Sequence, residues 1–255
     1  ILKERIWGGE KLIKTFKKES TKTNIGESWE ISDVEGAISV VANGFLKGTS
    51  LRGLIKEYKS EFLGEKVYKQ FGEEFPVLIK FIDAKTPLSI QVHPNNELAK
   101  ERHNSFGKNE MWYIMDCDED ANLIVGFNKE VSQNEYGKAL ADGTVLEILN
   151  SEKIKTGDTF YIPTGRVHAI GAGTVLAEIQ QTSDVTYRIY DYERVDAKTG
   201  EQRELHTELA LDAIDYKLYD NYKTEYDLKE NKASKLVHSH YFKTDIIQLN
   251  GAIEK

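Results

Sequence analysis

Short runs of apolar residues, several alternating with polar ones, dominate the chain and predict a mainly β structure. Residues 75–93 form the longest β-like stretch, interrupted near Pro87. Shorter strand-like runs cover residues 111–115, 122–127, 158–162, 175–179 and 185–190, and the apolar segment 36–44 lies between Gly36 and Gly44. Many short strands separated by turn residues predict a barrel or a sandwich.

Helical spacing is rarer. Leu51, Leu54, Ile55, Tyr58, Phe62 and Val67 predict a helix over residues 50–70, with Gly64 splitting it in two. Residues 96–104 and 132–140 each suit a short helix, and so do residues 206–214, with Thr207 as the N-cap. Residues 216–235 are polar and charged, like a linker or a surface segment. Residues 237–249 then resume β-like alternation.

Composition narrows the function classes. A chain of 255 residues can bury a substantial core, as one large domain or two smaller ones. The single cysteine, Cys117, excludes an internal disulfide and a cysteine-rich zinc site, and it suits a reducing cytoplasm. No apolar run approaches the length of a membrane span, and the first residues do not read as a signal peptide. A formal net charge of −8 argues against nucleic-acid binding. It leaves room for an anionic small molecule, because a few basic side chains in one pocket act locally.

Two segments carry candidate chemistry. In residues 88–94, strand alternation puts Ser89, Gln91 and His93 on one face and Leu88, Ile90 and Val92 on the other. The polar face could line a cavity, although a solvated sheet face reads the same way. In residues 157–168, Gly157 opens a strand, Pro163 ends it, a Pro-Thr-Gly turn follows, and His168 stands three residues past Gly165. A hairpin with an incidental histidine has the same spacing. Glu178, Asp184, Arg188 and Arg194 form a third cluster, for which a structural ion-pair network is the simpler reading.

The spacing of Gly157, Pro163, Gly165 and His168 resembles the second metal-binding motif of the cupin superfamily. Gln91-Val92-His93, followed by Glu110, resembles its first motif with one histidine replaced by glutamine. That variant is similar to the type I mannose-6-phosphate isomerases, in their short bacterial form. Residues 6–9 (Ile-Trp-Gly-Gly), 26–32 and 183–188 add to the resemblance, which runs from Ile6 to about Ile214.

The resemblance implies a mostly β fold, a cupin or jelly-roll barrel with helical insertions, followed by the start of a second small β domain. It implies a catalytic unit over residues 1–215, with insertions at about 50–70, 96–104 and 132–140. Residues 216–255 then form a linker and the beginning of a truncated second domain. It implies one divalent metal ion, zinc by preference, on Gln91, His93, Glu110 and His168, a mixed nitrogen and oxygen set that suits such ions. It places Arg188, Lys108, Glu178 and Asp184 at the reacting sugar, with metal-bound water, Lys108, Glu178 and Asp184 all open as the general base. The implied reaction interconverts mannose 6-phosphate and fructose 6-phosphate through an enediol, in a cytoplasmic enzyme that could be a homodimer. An iron-dependent cupin oxygenase and a non-catalytic sugar-binding cupin are the alternatives. The remaining histidines, His103, His206, His238 and His240, read as surface residues.

Overall fold

The computed structural model describes residues 1–197 and 199–251. In chain order the elements are β1 (Leu2–Gly9), α1 (Lys11–Lys14), β2 (Ile25–Ile31), α2 (Leu51–Leu63), α3 (Glu65–Phe71), β3 (Val77–Ala84), β4 (Ile90–Val92) and α4 (Asn96–His103). They continue as β5 (Glu110–Cys117), β6 (Asn122–Phe127), α5 (Gln133–Ala141), a 3-10 turn (Val145–Ile148), β7 (Leu149–Lys153), β8 (Thr159–Ile162) and β9 (His168–Ile170). The last are β10 (Thr174–Gln181), β11 (Tyr187–Tyr190), α6 (Thr207–Ala213), β12 (Ala233–His238) and β13 (Lys243–Ile247). The mostly β expectation holds, with antiparallel pairing throughout the named sheets.

Six strands form one sheet in the order β1-β2-β3-β10-β5-β8, and five form a second in the order β11-β4-β9-β6-β7. Alternation along β10, β5 and β6 turns Leu176, Trp112, Ile114, Leu123 and Val125 into one apolar cluster with Ile82, Phe160 and Ile170. This is the layer between the sheets. The opposite face of the second sheet presents Ile90, Val92, Phe127, Ala169, Tyr187 and Ile189. Tyr136 and Ala139 of α5 and Ala210 of α6 cover it. Helices thus seal one sheet from outside, and the site shares the space between the sheets with this apolar layer.

Local signals explain the helices. Ser50 caps α2 by accepting from the Gly53 amide at 3.0 Å, and Asn95 caps α4 by accepting from Leu98 at 2.9 Å. Ser132 and Glu135 form a reciprocal capping box on α5. Gly64, at φ +82°, separates α2 from α3 as its position predicts.

Some expectations change. Residues 36–44 do not form a strand; Val40 makes one isolated bridge to Ser50. Their backbone closes a turn-rich loop instead, with the Ser39 and Val41 amides donating to Ser32 and Thr49. Thr207 is the first residue of α6 and His206 precedes it without a capping bond, so the cap reading shifts by one residue. Leu88 lies before β4 begins and joins the inner cluster, not the outer one with Ile90 and Val92.

The polar stretch 216–235 is more engaged than its composition suggests. Tyr222 is buried, and its hydroxyl donates to the Phe127 carbonyl at 2.8 Å and accepts from the Phe127 amide at 3.2 Å. β12 and β13 pair with each other in a two-stranded sheet. Leu236, Val237 and Phe242 pack on Met111, Tyr113, Tyr161 and Ile179, the outer face of the six-stranded sheet.

Candidate metal centre and cavity

His93 follows β4, Glu110 opens β5 and His168 opens β9, so three strands from two sheets bring these side chains together. Their candidate ligand atoms all lie within 4.8 Å of one another. His93 Nε2 is 3.5 Å from Glu110 Oε2, and His168 Nε2 is 3.4 Å from Glu110 Oε1. All three side chains are buried.

The second nitrogen of each ring fixes the tautomer. His93 Nδ1 lies 2.9 Å from the Val185 carbonyl, and His168 Nδ1 lies 2.8 Å from the Arg166 carbonyl. A carbonyl can only accept, so each Nδ1 carries the proton and each Nε2 lone pair faces the centre. Burial, followed by the charge of Lys108, pushes the His93 imidazole down to about 4. Burial also lowers His168. Burial alone would raise Glu110, but the charge of Lys108 holds its carboxyl well below the usual range. Two neutral imidazoles and one carboxylate therefore converge.

The donor set fits a divalent ion. Glu110 Oε1 is buried and has no hydrogen-bond partner, a costly state for a carboxylate oxygen unless a cation satisfies it. Gln91, the cross-strand partner of His168, brings its side-chain amide to 3.2 Å from His168 Nε2. Lys108 Nζ stands 3.0 Å from His93 Nε2 and contacts Glu110 Oε2. Among the described residues, His93, Glu110 and His168 are the group of three or more acidic, histidine or cysteine side chains that could hold a metal.

A cavity of about 460 Å³ adjoins this centre. Gln91, Lys108, Glu178, Asp184 and Arg188, all singled out in the sequence, line it. The register of the second sheet explains part of this. Arg188 is paired with Gln91, and Gln91 with His168, so one transverse row crosses three strands. Arg188 Nη1 donates to the Glu204 carbonyl at 2.7 Å, while its buried Nε has no partner. Asp184 is exposed, at the cavity margin. Arg194 takes the structural alternative: it bonds to Asp191 and, at 2.5 Å, to the Pro87 carbonyl.

The six-stranded sheet contributes charges that the sequence reading missed. Glu178 is the cross-strand partner of Lys80 on one side and of Trp112 on the other. Its Oε2 accepts from Trp112 Nε1 at 2.8 Å, and its Oε1 lies 3.0 Å from Lys80 Nζ and 3.9 Å from Lys108 Nζ. Beyond Lys80, Glu27 accepts from Trp29 Nε1 and from Arg5 Nη2, each at 2.8 Å. Glu110, Lys108, Glu178, Lys80, Glu27 and Arg5 thus alternate in sign from the metal centre to the edge strands. Burial would neutralise Lys80, but Glu178 and Glu27 outweigh it and hold its ammonium above the usual value. Its signal in the sequence was a lysine inside the apolar strand 77–84, on the same side as Leu78 and Ile82.

Two facing antiparallel sheets with a buried group of two histidines and one carboxylate that could hold a metal define a scaffold of the cupin type. The comparisons then fix the family. The catalytic-domain profile of type I phosphomannose isomerase matches residues 1–123. The mannose-6-phosphate isomerase ManA of Bacillus subtilis is 42% identical over 216 residues, covering 84% of this chain and 66% of that protein. The putative mannose-6-phosphate isomerase YvyI of the same organism is 37% identical over 257 residues, 100% of this chain and 79% of that one. The crystal structure of the Bacillus subtilis mannose 6-phosphate isomerase superposes with a TM-score of 0.87 at 37% identity, over 95% of this chain and 76% of that chain. The chain belongs to the type I phosphomannose isomerases. It spans just under two thirds, 66%, of the length of ManA.

Proposed function

We propose that this chain interconverts mannose 6-phosphate and fructose 6-phosphate, with one zinc ion held by Gln91, His93, Glu110 and His168. The observation that carries this reading is the buried donor set beside a cavity whose wall holds Lys80, Lys108 and Arg188 together with the carboxylates Glu178 and Asp184, in a chain of this family. When bound, the ion supplies a Lewis acid that orients sugar oxygens and stabilises negative charge on them.

The remaining work falls to the chain's own side chains. The reaction moves a proton from C2 of the aldose to C1 through an enediol, so it needs a base at C2 and a donor for the developing enediolate oxygen. Glu178 is a carboxylate on the cavity wall, oriented by Trp112 and flanked by Lys80 and Lys108. Glu178, Lys108 and Asp184 are the proton-transfer groups in this reading. Arg188 remains charged through the cycle and lines the cavity, which suits an oxyanion donor. The phosphate supplies binding energy remote from the reacting carbons.

The same reading assigns residues 1–215 as the catalytic unit and residues 216–255 as a linker with the opening of a second, smaller β domain. The mutual pairing of β12 and β13 supports it. A cytoplasmic setting agrees with the single cysteine. A coupled assay for fructose 6-phosphate, run with metal analysis on the same protein, tests the activity. Turnover that follows zinc content is the expected result. A zinc-loaded protein without turnover on mannose 6-phosphate would refute it.

A further inference from the structure

Arg166 belongs to none of the groups that face the sugar, yet it is buried two residues before a metal ligand. Its guanidinium carbon lies 4.1 Å from the ring centre of Tyr219 and 4.8 Å from that of Tyr222. Its Nε has no hydrogen-bond partner, so the two aromatic faces are a principal stabilising environment for the charge. Both tyrosines are anchored in turn. The Tyr219 hydroxyl donates to Asp215 Oδ2 at 2.7 Å, and the Asp215 amide donates to the Gly165 carbonyl at 2.8 Å. Tyr222 bonds to both backbone groups of Phe127 and lies against Gly126, whose φ is +70°. Residues 215–222 therefore strap the turn between β8 and β9 from outside.

That turn holds the imidazoles of the metal centre. The Arg166 amide donates to Pro163 at 3.1 Å, and the Arg166 carbonyl receives the Nδ1 proton of His168 at 2.8 Å. The Gly165 amide donates to the His93 carbonyl at 2.9 Å. The Val167 carbonyl accepts from Gly126 at 2.7 Å. The peptide that orients His168 is thus flanked by bonds that lead back to the tyrosine strap.

We infer that Arg166, clamped between Tyr219 and Tyr222, is a positioning residue of the metal centre. The clamp sets the direction of the Arg166 carbonyl, and that carbonyl sets the plane of the His168 ring and keeps its Nε2 lone pair on the ion. Groups that orient metal-bound histidines affect metal affinity strongly even without touching the metal. The inference rests on the metal site proposed above.

Cobalt(II) is the probe, because its absorption reports ligand geometry independently of turnover. Apo wild type, Arg166→Ala, Arg166→Lys, Tyr219→Leu and Tyr219→Phe are titrated with cobalt, and the ion is then withdrawn with a chelator. Arg166→Ala is expected to weaken cobalt binding by roughly 10-fold or more and to alter the absorption bands. Arg166→Lys, which keeps a cation over the rings, should recover most of the affinity, and Tyr219→Phe, which keeps the ring but loses the bond to Asp215, should fall between wild type and Tyr219→Leu. Tyr219→Leu should behave like Arg166→Ala, and it carries the test if Arg166→Ala does not fold. Wild-type affinity and spectrum in the folded clamp variants would overturn the inference. So would a lysine variant no better than alanine. Wild type that binds no cobalt would refute the metal site itself, and this inference with it.

Discussion

Replacing Glu178 by glutamine removes the third charge of the alternating series from Glu110 to Arg5. Glu178 lies 3.0 Å from Lys80 and 3.9 Å from Lys108, and both lysines are buried. Removing one partner of a buried pair costs about 3–5 kcal/mol, because the other charge is left uncompensated. Two features favour the lower end. A glutamine oxygen can still accept from Trp112, and Lys80 keeps Glu27 as a second carboxylate. A loss of about 3 kcal/mol follows, equivalent to roughly 150-fold in the unfolding constant. With a urea dependence of about 3 kcal/mol/M, the unfolding midpoint should fall by about 1 M. Urea titration followed by tryptophan fluorescence measures this, with the metal-free protein used throughout so that metal affinity does not contribute. The double variant Lys80→Met/Glu178→Gln should recover part of the loss, since the glutamine still accepts from Trp112, Lys108 keeps Glu110 and Glu27 keeps Arg5. A midpoint shift below about 0.3 M for Glu178→Gln, or a double variant as unstable as the sum of its singles, would refute the reasoning.

Three further outcomes are expected. Arg188→Ala should lower kcat by roughly 10²-fold with a much smaller change in KM and unchanged metal content; a rise in KM with kcat retained would make Arg188 a phosphate clamp instead. Burial would raise the Glu27 carboxyl, but Lys80 and Arg5, with the Trp29 bond, hold it below its ordinary value of 4.5. Its stabilisation is therefore complete above that value and is lost as pH falls through the folded value, so Glu27→Gln should flatten the acid side of a stability–pH curve, and an unchanged slope would contradict this. Gly126→Ala should destabilise the protein by about 2 kcal/mol or more, because φ is +70° and a Cβ would fall 2.4 Å from Tyr222 Cε1; an unchanged melting temperature would show that Tyr222 does not pack there.

The histidines of the candidate metal group, and Gln91 beside them, were legible because their spacing is local. Gln91 and His93 sit two apart beside a strand, and His168 follows a turn whose glycine and proline fix its exit. The strands at 122–127 and 158–162 announced themselves as short apolar runs bounded by turn residues. β1 and β2 were not identified as strands, since register shifts at Lys3, Glu4 and Gly9 break the regular pairing. Lys80 was missed for a different reason. Its partner Glu178 lies 98 positions later, and only the pairing of β3 with β10 makes one the neighbour of the other. Residues 36–44 misled because apolar residues between glycines also suit a turn-rich surface loop, in which Ala37 is buried and Val40 exposed. Tyr219 and Tyr222 were hidden in a charged stretch whose average polarity masked one buried and one partly buried ring.

The row of Arg188, Gln91 and His168 also constrains how this chain can change over evolutionary time. Those three positions share a face only while β11, β4 and β9 keep their residue count, since one added residue in a strand turns every later side chain to the opposite face. A single-codon insertion between Ser89 and Gln91 would aim the amide at the helices and an aliphatic group at the cavity. Length is free to drift in connections such as residues 191–206, which approach the cavity through Asp196 and Arg203 without setting the frame. Diversification of sugar preference in relatives of this chain is therefore expected to appear as loop insertions and deletions, with the strand lengths left untouched.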